Sequence, residues 1–292
     1  KVREVLAADP DVIEAYTMLG NMHSKAGRPG EAIAAYQRAL AVDPEHEGAA
    51  WSLALAYRDA GQEREAEAGF ERVLQLDPRG AKPLYQLADL AMRRGEFPKA
   101  VELLERGLTL DGDRAAFLVK LGEARLELQE PDAAERALRE AIELKPDQPL
   151  AHFTLGLALE ARGDVQGAAA AYEAEIAASP SLYQPHFNLA RLLAKAGRAG
   201  EALPHYRAAV DARPEFGTGW LYLAKALLDA GEMDGAREAA TRGLASNPDP
   251  SMAPLGHYVL ADVYARLGRE ADAAREVALG RQAERAAGGT RP

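Results

Sequence analysis

Residues 13–46 read IEAYTMLGNMHSKAGRPGEAIAAYQRALAVDPEH, and this stretch decides the fold. It contains two amphipathic segments, 13–26 and 31–42, each long enough for roughly 20 Å of α-helix. Gly27 lies between the segments, where a residue in the left-handed conformation lets the chain reverse. Pro44 follows the second segment and cannot continue a helix. The stretch therefore predicts one helical hairpin.

The same hairpin pattern recurs along the chain, mostly with a period of 34 residues. A leucine is followed by glycine or alanine in eight copies, beginning with Leu19 and Gly20. Twelve residues after each small residue stands an alanine, beginning with Ala32. The helix-ending positions are occupied by Pro10, Pro44, Pro78, Gly112, Pro146, Pro180, Pro214 and Pro248. A repeat of this length predicts an all-α solenoid rather than a single globular core.

The register of the repeats predicts four segments. Residues 1–12 are interpreted as the second helix of a truncated preceding repeat, and 13–250 as seven tandem repeats. Residues 251–286 hold a three-residue insertion and an eighth repeat, and 287–292 form a flexible tail. The third and fourth copies depart most from the pattern, because Gly112, Arg125 and Gln129 replace the usual proline, aromatic and turn glycine. We expect a local change in helix stacking there.

Composition excludes several classes of function. The net charge of −10 argues against a nucleic-acid-binding protein, which needs a concentrated basic surface. No apolar run approaches the roughly 20 residues of a membrane span, so we expect no membrane insertion. The absence of cysteine excludes disulfides and thiolate chemistry but assigns no compartment. The Ala-, Arg- and Glu-rich composition favours a bacterial source, and the cellular location stays open.

The repeat resembles the tetratricopeptide repeat, whose signature is W-x2-L-G-x2-Y…A-x3-F…P. The first copy matches this signature at Tyr16, Leu19, Gly20, His23, Ala32, Tyr36, Ala39 and Pro44. The resemblance covers nearly the whole chain. It implies about eight helix–turn–helix repeats stacked in a right-handed superhelix, with the first helix of each repeat lining a concave groove. It also implies a protein that holds other proteins.

No residue pattern in the sequence predicts an enzyme, a cofactor or a metal site. His152, His186 and His257 stand where the tetratricopeptide signature has tryptophan. We expect these rings to pack between helices, although a metal site is the alternative. Ligands of one metal ion must approach to about 2 Å, whereas neighbouring helix axes lie about 8–10 Å apart. The sequence therefore predicts a non-enzymatic scaffold.

The concave groove implied by the resemblance is the candidate binding site. Its central column holds several aromatic residues and reads Thr17, Trp51, Tyr85, Val119, Phe153, Phe187, Leu221 and Tyr258. Nine basic and eight acidic residues occupy the other groove-facing columns, so the groove is nearly neutral on an acidic protein. Such a groove favours a partner segment with apolar and mildly acidic side chains. The predicted partner-binding residues are Asn21, Trp51, Arg58, Lys82, Tyr85, Arg93, Lys120, Phe153, Phe187, Asn188, Arg191, Lys195, Tyr222 and Lys225.

Two clusters within this set are the strongest candidates. Lys82, Arg93 and Lys120 flank Tyr85 in sequence register. Arg191, Lys195 and Lys225 flank Phe187 in the same way. The partner is predicted to be a protein or peptide of unspecified identity. Two alternatives stay open: the chain is the substrate-recruiting region of a larger enzyme, or it self-associates through its terminal repeats.

Overall fold

The computed structural model describes residues 9, 12–246 and 248–288, with only the backbone of Gly288. These residues form sixteen α-helices, one short 3₁₀ turn at Pro250–Met252 and no β-strand. The predicted all-α repeat fold is confirmed. The helices are α1 (Ile13–Lys25), α2 (Pro29–Val42), α3 (Glu47–Asp59), α4 (Glu63–Leu76), α5 (Ala81–Arg93), α6 (Phe97–Leu108), α7 (Arg114–Glu127), α8 (Pro131–Leu144), α9 (Ala151–Ala161), α10 (Val165–Ala178), α11 (Tyr183–Lys195), α12 (Ala199–Ala212), α13 (Gly217–Asp229), α14 (Met233–Ala245), α15 (Ala253–Arg266) and α16 (Glu270–Gly288).

The helices form hairpins, in which each odd-numbered helix packs on the even-numbered helix that follows it. The chain divides into two compact units, residues 1–148 and 149–292, called unit 1 and unit 2 below. Unit 1 contains the hairpins from α1 to α8, and unit 2 contains those from α9 to α16. Within each unit, the second helix of one hairpin packs on the first helix of the next.

The turns inside the hairpins depend on a residue with positive φ. Glycine supplies it in seven of the eight hairpins, as at Gly27 with φ of 67°. In the fourth hairpin Gln129 adopts the same conformation, with φ of 59°. Glycine occupies this region without steric cost, whereas a residue with a Cβ atom is strained there. Gln129 nevertheless adopts the turn geometry that glycine provides in the other hairpins.

A local change in helix stacking near Gly112 and Gln129 stays a prediction. Helices α6 and α7 pack closely on either side of Gly112, and unit 1 divides from unit 2 later, after Gln148. Arg125, which replaces the usual aromatic residue, pairs with Glu105 and Glu130 at 2.5 Å each. Arg125 is thus bound by two carboxylates, and Gln129 adopts the left-handed conformation that glycine has in the other hairpins.

The alanine column forms the closest contact within each hairpin. Its first seven members have no exposed surface, and they are Ala32, Ala66, Ala100, Ala134, Ala168, Ala202 and Ala236. The eighth, Ala273, is only half-buried. Side chains of this size let the two helix backbones approach, while larger neighbours such as Phe70 and Tyr172 fill the space beside them.

Replacing Ala134 by leucine is expected to lower the free energy of unfolding by about 1–3 kcal/mol, because the added methyl groups have no space. Thermal unfolding followed by circular dichroism measures the loss. Ala68→Leu, at an exposed position in α4, is the control and should leave the melting temperature nearly unchanged. Equal melting temperatures for Ala134→Leu and the wild type would contradict this packing account.

The chain ends differ in part from their prediction. Residues 1–8, 10 and 11, where a remnant helix was predicted, lie outside the described residues. At the other end α16 continues through Ala287 to Gly288, two residues into the segment predicted as a tail. Alanine favours helix, and three of the last residues of α16 are Ala283, Ala286 and Ala287. Residues 289–292 are not among those described.

Candidate partner-binding site

A pocket of about 650 Å³ opens between α3, α5 and α7, the first helices of three successive hairpins in unit 1. Its apolar surface comes from Trp51, Val73, Pro83, Tyr85, Ala116 and Phe117. The charged and polar side chains around it are those of Glu47, Asp77, Arg79, Lys82, Gln86, Asp111 and Asp113. We call this feature the unit 1 pocket. It brings together Trp51, Lys82 and Tyr85, three of the residues predicted to contact a partner.

Two aromatic side chains of the unit 1 pocket are held by rings behind them. Trp51 packs on the buried Phe70 of α4, with ring centroids 5.4 Å apart. Tyr85 packs edge-on against Phe117 of α7, with centroids 5.3 Å apart. Both rings are only partly buried, so each keeps accessible surface towards the pocket. Rings held in place in this way lose little conformational entropy when they bind an apolar group.

Most of the predicted basic residues in unit 1 are already paired. Arg58 donates to Gln86 at 2.7 Å and pairs with Asp59 at 2.8 Å. Arg93 pairs with Asp89 at 2.9 Å, so its charge is neutralised within α5. Of these contacts, only that of Arg58 with Gln86 joins α3 to α5, and each of the two ion pairs lies within a single helix.

Lys120 of α7 completes this set of paired cations. Its Nζ lies 3.5 Å from Asp89 and 3.0 Å from Glu123, and 6.0 Å from the centroid of the Tyr85 ring. Burial alone would lower the pKa of Lys120, but Glu123, Tyr85 and Asp89 outweigh it and raise the pKa. The ammonium group therefore stays charged. Burial raises the pKa of Tyr85, so the phenol stays neutral and can donate a hydrogen bond.

Lys82 differs from these cations. It is exposed in the first turn of α5, and no carboxylate of the described chain lies within ion-pair distance of its ammonium group. Its charge is therefore available at the edge of an apolar pocket. The arrangement can hold an apolar side chain between Trp51 and Tyr85 and place an acidic group beside Lys82.

In unit 2 the predicted aromatic residues pack on one another. Phe187 contacts Phe216 and Tyr222 edge-on, at 5.0 and 5.2 Å between centroids. Phe153 lies 5.9 Å from the buried Tyr172. Contacts with neighbouring rings cover part of the surface of Phe187 and Phe153. Trp51 and Tyr85, by contrast, border an open pocket.

The polar predicted residues of unit 2 are mostly engaged. Arg191 binds both carboxylate oxygens of Glu160, at 2.8 and 2.9 Å, and Lys225 binds Asp229 at 2.6 Å. Lys195 is exposed and Asn188 half-buried, and neither forms a polar side-chain contact with another described residue. In unit 1, Asn21 accepts a hydrogen bond from Tyr36 at 2.6 Å, so its carbonyl oxygen serves hairpin packing.

Two members of the predicted aromatic and apolar column belong to the core instead. Val119 is 5% exposed and Leu221 has no exposed surface. The column's aromatic members also face the second helix of their own repeat: Trp51, Phe153 and Phe187 each contact the ring 19 residues later. The main role of this column is therefore packing within the repeats. Its members are accessible to a partner where they border the pocket.

Three polar residues with buried or half-buried side chains were missed by the sequence interpretation. Glu175 accepts hydrogen bonds from the backbone N–H groups of Leu150 and Phe153, at 3.2 and 3.1 Å. His205 contacts His186 at 3.1 Å, and Glu276 contacts His257 at 2.8 Å. The signal was present, because each stands in a repeat column that otherwise holds mostly small or apolar residues. Among the described residues, no group of three or more potential ligands is placed to hold a metal ion.

Comparison with known families accounts for the repeat. Tetratricopeptide-repeat family models match residues 13–46, 48–79, 85–149, 119–182, 193–256 and 254–278. Together these matches cover most of the sequence, and the chain belongs to the tetratricopeptide-repeat family. No curated protein matches the sequence.

Solved structures show the same fold. MamA is 25% identical, with a TM-score of 0.52 over 58% of this chain and 92% of MamA. PilF of Pseudomonas aeruginosa is 19% identical, with a TM-score of 0.60 over 69% of this chain and 92% of PilF. A tetratricopeptide-repeat protein from Parabacteroides merdae is 16% identical, with a TM-score of 0.67 over 84% of this chain and 98% of that protein. These likenesses assign no source organism, so a bacterial origin stays a prediction.

The family and the fold place the chain among protein-interaction scaffolds, so its partners are proteins. Within the described residues, no helix combines the length and the apolar character needed to cross a bilayer.

Proposed function

We propose that this chain is a non-enzymatic scaffold that binds a peptide segment of a partner protein in the unit 1 pocket. The observation that carries the proposal is the pocket itself, in which two supported aromatic rings border an apolar cavity. Lys82 lies beside it and has no ion pair with another described residue. The segment supplies an apolar side chain to the cavity and an acidic group to Lys82.

The contrast between the two units supports this choice of site. Both units have ring contacts, paired cations and an exposed lysine, and what distinguishes unit 1 is that Trp51, Lys82 and Tyr85 border one cavity. Binding energy at protein interfaces concentrates in a few aromatic and charged residues within an otherwise neutral surface. Trp51 is the residue of the unit 1 pocket that best meets this description.

Peptides selected from a random display library on the full-length chain test the proposal, with affinities measured by isothermal titration calorimetry. Trp51→Ala is expected to weaken binding about thirtyfold, as loss of a central aromatic contact does. Lys82→Glu should lower the affinity for peptides that carry an acidic residue. This loss of affinity should be smaller at high salt, because salt screens the charges. Ala116→Trp, which fills the pocket without removing a core ring, should also reduce binding.

Lys195→Glu is the matched control, because Lys195 is an exposed lysine in unit 2 that forms no ion pair within the described part of the chain. Its affinity should stay within about twofold of the wild type, since it lies outside the pocket. Melting temperatures establish that each variant is folded. Peptides that bind wild type, Trp51→Ala and Ala116→Trp equally would place the binding site elsewhere.

A further inference from the structure

The histidine at the tryptophan position of the sixth repeat is anchored as a tryptophan would be. In the seventh repeat Trp220 donates its indole N–H to the carbonyl of Pro214 at 2.8 Å. His186 stands 34 residues earlier, and its Nε2 lies 3.2 Å from the carbonyl of Pro180. A carbonyl only accepts hydrogen bonds, so Nε2 of His186 carries a proton and donates it.

This anchor determines the second contact of the ring. Nδ1 of His186 lies 3.1 Å from Nδ1 of His205 on α12, with ring centroids 5.4 Å apart. In the neutral imidazole with a proton on Nε2, Nδ1 is an acceptor. His205 must therefore donate from its own Nδ1. The pair joins the two helices of the hairpin through one proton held between two nitrogen atoms.

Extra protons disturb this pair in two steps. A first proton, on Nε2 of His205, leaves the hydrogen bond in place but puts a charge at a partly buried site. A second proton, on Nδ1 of His186, sets N–H against N–H and brings two cations together. In the unfolded chain both rings accept their protons without either cost. Acid therefore favours the separated rings over the paired ones.

The surroundings compensate only in part for the added charge. His186 is 8% exposed and His205 is half-buried. Burial lowers the pKa of His205, the neighbouring His186 lowers it further, and Glu173 on α10 opposes the change. Among the described residues, His186 and Glu173 are the titratable groups that act on His205. Stability from the pair is thus present above the ordinary histidine pKa of about 6.5 and is lost as the pH falls below it.

We propose that the His186–His205 pair is an acid-sensitive latch that holds α11 against α12 at neutral pH and loosens it on acidification. Loosening of α11 would also affect Phe187, Arg191 and Lys195, because the same helix carries them. Acid therefore weakens the helix that carries these side chains. The latch acts in unit 2 and does not depend on the unit 1 pocket.

The eighth repeat provides an internal comparison at the same register. His257 faces Glu276, with Nδ1 and the carboxylate 2.8 Å apart and the same separation of 19 residues. The His257 ring thus faces a carboxylate, whereas the His186 ring faces a second imidazole. Acid should therefore affect α11 and α15 differently, although both carry a histidine at the same position.

Two measurements on the full-length chain test the latch. Long-range ¹H–¹⁵N spectra at pH 8 are expected to show the Nε2–H tautomer at His186 and the Nδ1–H tautomer at His205. Hydrogen-exchange protection, corrected for the intrinsic pH dependence, should fall for α11 relative to α15 between pH 7.5 and 5.5. His205→Ala removes the pair and places alanine where Ala35, Ala137, Ala171 and Ala239 stand in other repeats.

In His205→Ala the pH-dependent loss of α11 protection should disappear, with His186 and the other histidines still present. The latch is overturned if α11 and α15 keep the same relative protection at both pH values. It is equally overturned if His205→Ala retains the wild-type pH dependence, or if the neutral tautomers are not those stated. Melting at pH 8 checks that the variant is folded, and His205→Gln replaces it if the alanine variant is not.

Discussion

Replacing Glu175 by alanine is expected to lower the free energy of unfolding of unit 2 by about 2–3 kcal/mol. Glu175 lies on α10 and is 2% exposed, yet it binds the N–H groups of Leu150 and Phe153 at the start of α9. Helix α9 has no side-chain cap of its own, because its N-cap residue is Leu150 in the left-handed conformation. Alanine would leave both N–H groups without a partner.

The size of this effect reflects two opposing contributions. Each buried donor that loses its partner costs about 1–3 kcal/mol, and relief from burying a carboxylate returns part of that. The chain has two tryptophans, and Trp220 reports on unit 2. Urea unfolding in a Trp51→Phe background, followed by Trp220 fluorescence, therefore measures the loss where it is expected.

Glu175→Gln is the matched control. It keeps one acceptor oxygen at nearly the same place but loses the negative charge that favours a helix N-terminus. We expect its loss to be about half that of the alanine variant. Alanine stands at this position in other repeats, for example at Ala39 and Ala141. An alanine variant as stable as the wild type would mean that α9 needs no cap from α10.

The fold could be predicted because its signals are local and repeated. Proline ends helices and glycine reverses the chain through properties of single residues. Eight copies in register make each boundary recognisable even where one copy departs. Gln129 illustrates the limit, since its side chain does not favour a left-handed turn, yet the helices on either side hold it in one. Packing outweighed local preference there.

The candidate site was less predictable, because accessibility depends on what packs behind each side chain. Trp51 and Leu221 stand in the same repeat column, but one borders a pocket and the other is fully buried. The count of charged residues was also an incomplete guide to the binding site. The near-neutral sum for the groove was a property of pairs such as Arg191–Glu160, and the sum alone did not identify Lys82 and Lys195 as lysines without an ion pair to another described residue.

Two of the three missed polar residues, His205 and Glu276, were missed for the same reason. His186 and His205, like His257 and Glu276, are 19 residues apart and face each other across a hairpin. A comparison of columns one at a time treats each as an isolated exception. Comparing the two columns that face each other would have identified both pairs, since contacts between repeat positions recur with the repeat.

Replacing Gly107 by valine is expected to cost about 3 kcal/mol in unit 1 and to disturb the unit 1 pocket as well. A Cβ atom on Gly107 of α6 would lie far inside the van der Waals contact distance of Cε1 of Phe117. Phe117 is 4% exposed and cannot move aside without displacing its neighbours. One of these neighbours is Tyr85, whose edge-on contact with Phe117 positions it beside the pocket.

Urea unfolding followed through Trp51, in a Trp220→Phe background, measures the loss of stability in unit 1. Gly30→Val is the control, because nothing lies within 4 Å of a Cβ atom added there. Its effect should stay within about 0.5 kcal/mol. In conditions where Gly107→Val is still folded, displacement of Tyr85 should also lower the affinity for any peptide selected on the wild-type chain. A loss of stability without a loss of peptide affinity would show that Phe117 supports the helix contact but not the pocket. No loss of either would contradict the close contact between α6 and α7.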